Sequence, residues 1–261
     1  MAEITEELAQ RIAEAKKRYV EYAAEAQKSF VAPVAHISIE PQESVTEVHI
    51  DVTSQDGTNF HFQSMQEQDA ETVYEFLNKH PIVRERYADG TTPTAEATAK
   101  RIKQLADRYK TEGERSPLHL YSGFTVTDAD TGAFLGMCNI GGGTKPGYAE
   151  MARLNRPEAW SHSPADVVER YVIPTEKRIT EKHYADLGTI ESSTLFQYTT
   201  RLKADGYKVN GEVVTNLAAT NRIDNPGAWQ SNARAGFELD DVDQRLEYGT
   251  ALRYQVRKPV F

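Results

Sequence analysis

Ala133-Phe134-Leu135-Gly136-Met137-Cys138-Asn139-Ile140 is apolar on both of its alternating sides. A strand that cannot be divided into a wet and a dry face sits inside a sheet covered on both faces. Just before it, Phe124 and Val126 alternate with Gly123 and Thr125, and Asp128-Ala129-Asp130-Thr131-Gly132 supplies a tight turn. Leu118 and Leu120 carry the alternation further upstream. Just after it, a glycine-rich hairpin loop from Gly141 to Gly147 leads into Tyr148-Ala149-Glu150-Met151-Ala152-Arg153-Leu154. Three strands in antiparallel succession are expected, with Cys138 as a small core residue of the middle one.

Working outward, residues 161–183 are polar and without a clear period. A helix is predicted after Gly188, with Ile190, Leu195, Tyr198 and Leu202 inward and Asp205-Gly206 as its stop. Glu212 to Thr220 reads as a strand, Asn225-Pro226 as the start of a helix ending at Gly236, and Tyr248 to Val256 as a closing strand. Upstream, a short strand with Phe60 and Phe62 precedes a helix from Asp69 that presents Val73, Tyr74 and Leu77. Thr92-Pro93 is the expected cap of a second helix striped with Ala95, Ala99, Ile102, Ala106 and Tyr109, and polar residues 111–116 form a loop. Ile4, Leu8, Ile12, Ala15, Tyr19, Ala23, Ala26 and Phe30 mark an amphipathic helix, followed by strand-like runs between 35 and 52 and a turn at Asp56-Gly57. Hairpins mixed with crossover helices predict an α/β (α+β mixed) fold, a central mixed, twisted sheet flanked by helices. Residues 1–58 are expected as an accessory region and 59–261 as the main domain.

The 261 residues suffice for a full core, and 39% hydrophobic with 26% charged residues is a globular composition. The net charge of -9 repels nucleic acid and anionic membrane and attracts cationic ligands. One cysteine excludes an internal disulfide or a multi-cysteine metal site, and seven scattered histidines give no metal-ligand spacing. The acidic start Glu3-Ile4-Thr5-Glu6-Glu7 is unlike a signal peptide, and no long apolar run exists. A cytoplasmic protein is expected, with signal-less export left open. Gly141-Gly142-Gly143-Thr144-Lys145 lacks P-loop spacing, and no Gly-x-Ser-x-Gly elbow is present.

Four stretches, in this order, resemble the GNAT superfamily of acetyl-CoA-dependent N-acetyltransferases. They are Gly123 to Gly136, Ala149 to Leu154 with Arg156-Pro157-Glu158-Ala159-Trp160, Asp186-Leu187-Gly188-Thr189, and Asn225-Pro226-Gly227-Ala228 through Arg234-Ala235-Gly236-Phe237-Glu238. The likeness spans about residues 59–257 and looks closest to the branch that acetylates amino termini of ribosomal proteins. It implies a three-layer fold whose sheet splays between the family's fourth and fifth strands to admit acetyl-CoA, with a primary amine as acceptor. The amine would be a protein amino terminus, a lysine or a small molecule.

The resemblance further implies that the backbone of Met151, Ala152, Arg153 and Leu154 pairs with the pantetheine arm like an added strand. Leu187, Gly188, Thr189 and Ile190 would hold the pyrophosphate at a helix N-terminus, where free N–H groups and the positive dipole end face an anion. From the residues alone, Gly188 also reads as punctuation of an ordinary strand-to-helix turn. Asn225 reads as an N-cap, and the resemblance adds a contact to CoA. Glu150 can take the proton of the attacking amine, bind its positive charge, or simply face solvent; Glu191 and His183 are further candidates. Where many family members carry a tyrosine that protonates the departing thiolate, this sequence has Asn232, with Tyr184 and Tyr198 as possible substitutes. The segment 161–183 is an insertion relative to the family and reads as a lid or acceptor wall. The N-terminal region reads as shaping the acceptor side or joining two copies. The rival readings are a GNAT-fold binding module without turnover and a transferase of a longer acyl group.

Overall fold

The computed structural model describes residues 6–85, 87, 89–110, 122–143, 145–160, 165–179, 184, 186–244 and 251–261. The chain starts with α1 (Glu6–Ala26), β1 (Ala35–Pro41), β2 (Thr46–Thr53) and β3 (Asn59–Ser64). Next come α2 (Asp69–Val73, continued by a π turn over Tyr74–Asn78), α3 (Pro81–Arg84) and α4 (Ala95–Ala106). Then follow β4 (Ser122–Asp128), β5 (Phe134–Gly142), β6 (Tyr148–Asn155), α5 (Ala165–Arg170) and α6 (Leu187–Ala204). The last part holds the short strands β7 (Lys208–Val209) and β8 (Glu212–Val213), then β9 (Asn216–Arg222), α7 (Pro226–Arg234), β10 (Glu238–Gln244) and β11 (Leu252–Pro259).

Nine strands form one sheet in the order β1-β2-β3-β4-β5-β6-β9-β11-β10. Every neighbouring pair is antiparallel except β6 and β9, which run parallel. A parallel pair needs a crossover, and α6 supplies it. As its composition demands, β5 is the middle strand: Leu135, Cys138 and Ile140 enter one core, whereas Phe134 and Met137 pack against the other. The first core lies under α1, α6 and α7 and includes Phe62, Phe124, Leu195, Tyr198 and Tyr254. The second lies under α2, α3 and α4 and includes Val73, Leu77, Ile102, Leu105 and Leu154. The result is the three-layer arrangement of helices, mixed sheet and helices.

Details differ from the sequence expectation in instructive ways. Thr94, not Thr92-Pro93, caps α4: its hydroxyl accepts from the Ala97 N–H at 3.2 Å. The buried stripe of α4 is Thr98, Ile102, Leu105 and Ala106, with Ala95 and Ala99 outside. Small alanines satisfy the helical period on any face, so the larger side chains set the rotation. Instead of one closing strand there are two, and β10 escaped notice because Glu238, Asp240, Asp241 and Asp243 make it acidic. It is an edge strand, where charge discourages pairing with other chains. Tyr248, Leu118, Leu120 and residues 111–116 lie outside the described residues.

Residues 6–58 share the sheet and the core with the rest. β2 pairs with β3 from His49↔Gln63 to Thr53↔Asn59. On α1, Ala15 and Tyr19 are buried; the Tyr19 ring packs against Trp229 and Tyr254 and its hydroxyl donates to the Phe237 carbonyl at 2.9 Å. The apolar face of α1 is thus spent within its own chain, on α7 and β10. Of the segment 161–183, the described part lies on α2 and α3: Tyr171 is buried and donates to the Phe76 carbonyl at 2.6 Å, beside His80. No helix among the described residues is long and apolar enough to cross a membrane. Tyr19→Ala is expected to cost about 3–5 kcal/mol, as for other large-to-small changes at buried aromatic positions. Denaturant unfolding measures this, and a loss under about 1 kcal/mol would contradict the seating of α1.

Candidate active site

β6 and β9 pair over three residues only: Tyr148↔Asn216, Ala149↔Leu217 and Glu150↔Ala218. Beyond Glu150 the two strands part. A cavity of about 260 Å³ opens between them, lined by Met151, Ala152 and Arg153 on one side and Ala219, Thr220 and Asn221 on the other. The fork lies toward the C-terminal ends of a parallel pair, a favoured place for ligands in sheets crossed by helices. The edge of β6 from Met151 onward has no strand beside it there. Leu154 faces the second core and lines an adjoining cavity of about 230 Å³ under α4.

Glu150 stands at the fork. Its side chain is half-buried, and the Thr220 hydroxyl donates to its Oε1 at 2.7 Å. Tyr87 lines both cavities. Burial pushes its phenol above the usual value and the nearby Glu150 charge adds to this, against the pull of Arg84 and Arg101. Tyr184 and Tyr198 line neither cavity. The Tyr184 hydroxyl is given to Asp128 at 2.8 Å, and the Tyr198 ring packs edge-on against Phe124.

The head of α7 lines the cleft through Asn225 and Ala228, and the head of α6 packs against α7 where Gly188 meets Ser231. Arg234 pairs with Asp186, offsetting the carboxylate that would oppose an anion at the start of α6. Leu187, Thr189 and Ile190 are buried, and their N–H groups bond to the carbonyls of Tyr184, Asp186 and Asp186 respectively. None of the four residues Leu187 to Ile190 lines the cavity directly. A Cβ at Gly188 would come within 2.7 Å of Ser231 Oγ and 3.0 Å of Arg153 Nη1, so the glycine lets α6 close on α7. Arg153 spans this junction, its guanidinium donating to the Gly188 carbonyl, to Ser192 Oγ and to the Ala228 carbonyl. Asn225 does precede α7, but its side chain makes no capping hydrogen bond; the Ala228 N–H goes to its backbone carbonyl at 3.2 Å. The Asn225 side chain is therefore free of the capping role read from sequence, and the residue lines the cleft.

Asn232 is 1% exposed and lines the cleft. Its Oδ1 accepts from Ser192 Oγ at 2.8 Å, and its Nδ2 has no partner. The sequence showed only that a tyrosine was missing there; an unspent buried donor needs the fold to be seen. Tyr87, Arg101, Asn139, Arg222 and Arg253 also line the cleft, and none belongs to a motif. Glu191 is fully buried behind it: Oε2 accepts from Asn155 Nδ2 at 2.7 Å, while Oε1 has no partner. Burial pushes its carboxyl up to about 7, with Arg153 and the Asn155 hydrogen bond pulling back. His183 lies outside the described residues.

No family model matches the sequence, and no curated protein matches it. Solved structures do. An acetyltransferase of the GNAT family from Bacillus anthracis superposes with a TM-score of 0.52 at 12% identity, over 77% of this chain and 94% of that one. The chain has the GNAT fold. The microcin C7 self immunity acetyltransferase MccE, in complex with acetyl-CoA and AMP, gives 0.51 at 12% identity over 77% and 92%. The Salmonella typhimurium enzyme that modifies the N-terminal serine of ribosomal protein L7/L12 gives 0.50 at 10% over 77% and 95%. The strands part between β6 and β9, where the sequence resemblance implied a splayed sheet.

Glu191 makes stability depend on pH. Its folded pKa of about 7 lies above the ordinary value of 4.5, so its stabilising contribution is complete below about 4.5 and is lost as pH rises through 7. Glu191→Gln is expected to flatten the fall in unfolding free energy between pH 5 and pH 8, by about 3 kcal/mol from the size of the shift. Identical pH profiles for the two proteins would show that folding leaves the pKa of this carboxyl unshifted.

Proposed function

We propose that the chain is an acetyl-CoA-dependent N-acetyltransferase acting on a primary amine by direct attack in a ternary complex. The observation that carries the reading is the fork after Glu150: a parted parallel pair, on a GNAT fold, with a carboxylate at its vertex and the head of α7 at its rim. The free edge Met151 to Leu154 offers backbone groups to the pantetheine arm, and Asn225 offers an amide unspent on capping. The head of α6, Leu187 to Ile190 around Gly188, takes the pyrophosphate on this reading, with Arg153 leaving the Gly188 carbonyl to meet it.

The amine must be neutral to attack the thioester carbonyl. Glu150, oriented by Thr220, accepts its proton directly or through one water. As the C–N bond forms, the carbonyl oxygen gains charge; collapse of the tetrahedral species breaks the C–S bond, and the second proton lost by the nitrogen goes to the departing thiolate, releasing CoA as thiol. On this reading Asn232, which lines the cleft, turns its unpartnered Nδ2 to hydrogen-bond the departing sulfur. A thiol of pKa about 8.5 leaves without a strong acid. Positioning of amine against thioester supplies most of the acceleration.

The Arg153 bridge and the Gly188–Ser231 contact favour a second reading, a GNAT-fold binding module whose cleft is held shut. Calorimetry separates the two: micromolar acetyl-CoA binding and release of free CoA on an amine panel support the enzyme, and no binding supports the module. Glu150→Gln is expected to lower kcat about 100-fold or more, with the acetyl-CoA Kd changed by less than about three-fold. Unchanged kcat would remove Glu150 from proton transfer. Gly188 is a poor probe, since any side chain there also pushes α6 off Ser231.

A further inference from the structure

The cavity under α4 meets the fork through shared residues: Tyr87, Arg101, Asn139 and Arg153 line both. Its charge is opposite to that of the whole protein. Arg84, Arg101, Arg153, Arg222 and Arg253 line the joined space, and Glu150 is its one carboxylate among the described residues. The chain overall carries -9. A polyamine or antibiotic amine would bring further cations into this field, so the local charge works against that class of acceptor.

Most of these guanidinium groups already have work to do. Arg84 donates to the Thr91 carbonyl and stacks over the Tyr87 ring at 4.5 Å. Arg153 holds the carbonyls of Gly188 and Ala228, and Arg222 pairs with Asp224 at 2.7 Å. Arg101 differs. It stands on the outer side of α4, at the junction of the two cavities, and makes no hydrogen bond or ion pair among the described residues. A planar fork of donors in that position is suited to a carboxylate.

A second, independent feature lies deeper. Asn78 is 8% exposed and lines the same cavity. Its Nδ2 donates to Thr98 Oγ1 at 3.0 Å, whereas its Oδ1 has no partner. A buried carbonyl oxygen left unpaired is costly unless something supplies an N–H. The cavity thus combines an open cation for an anionic group with an unspent acceptor for an amine, and Glu150 lines the fork that adjoins it.

We propose that the acceptor is a small amino-acid-like amine whose carboxylate is bound by Arg101 and whose amine is received near Asn78 and Glu150. The volume of about 230 Å³ suits a small molecule and not a folded protein segment. The inference rests on the acetyltransferase reading for its chemistry, but its binding half can be tested alone.

Calorimetry with the full chain, with and without CoA, compares each standard amino acid with its α-carboxamide, with spermidine and with a short peptide bearing a free amino terminus. At least one free acid is expected to bind about ten-fold or more tightly than its amide. Arg101→Gln should cut that ratio to within about three-fold, Arg101→Lys should keep part of it, and the neighbouring exposed control Lys100→Gln should keep it whole. CoA release from acetyl-CoA should rank the same acceptors in the same order. Amides, spermidine or peptide binding as well as every acid would overturn the proposal, as would a preference that survives Arg101→Gln. Acids bound through Arg101 without any acetyl-CoA binding would instead leave this site standing and remove the proposed transfer.

Discussion

A parallel strand pair that is allowed to pair for three residues and then forced apart governs this molecule. Backbone hydrogen bonding favours zipping β6 and β9 to their ends. Pairing nevertheless stops at Glu150 and Ala218, and the Arg153 guanidinium ties the first turns of α6 and α7 through the carbonyls of Gly188 and Ala228. The backbone groups exposed by the split are then available to a ligand that can act as a strand. Everything else in the fold serves to hold the fork rigid: β5 beside it is buried on both faces, and helices cover both sides of the sheet.

α6 bears the heaviest constraint. It is enclosed on nearly every side, with Ser192, Ser193, Thr194 and Thr199 buried alongside Leu195, Tyr198 and Leu202. Such a helix needs small polar residues that hydrogen-bond back to its own carbonyls, as Thr199 does to Leu195 at 2.7 Å. The same enclosure puts Glu191 out of reach of water, where its carboxyl is better protonated than charged. Close packing of Gly188 on Ser231 and the buried polar chain Arg153–Ser192–Asn232 link the heads of the two helices. The cleft and the helix packing are one mechanical unit.

Much of this architecture was legible in the sequence because its pattern is physical. Ala133 to Ile140 announced a central strand, Asp128 to Gly132 a tight turn, and Ile190, Leu195, Tyr198 and Leu202 a buried helix face. The acidic β10 was illegible because an edge strand is under pressure to look unlike a core one. Within the site, Glu150 could be singled out because it sits in a strand with a recognisable neighbourhood. Arg101, Tyr87 and Asn78 could not, because they reach the fork or the cavity beside it only when α2, α3 and α4 pack on the face of β5 and β6. The free state of the Asn225 and Asn232 amides was equally hidden: one looked like a cap and the other like a lost tyrosine until their partners could be counted.

A crystal structure grown with CoA tests the central claim most directly. The account predicts the pantetheine chain lying along Met151 to Leu154 in the gap after Glu150, with the Arg153 guanidinium displaced from Gly188 and Ala228. A gap left empty at saturating CoA, or β6 and β9 found paired to their ends, would contradict it.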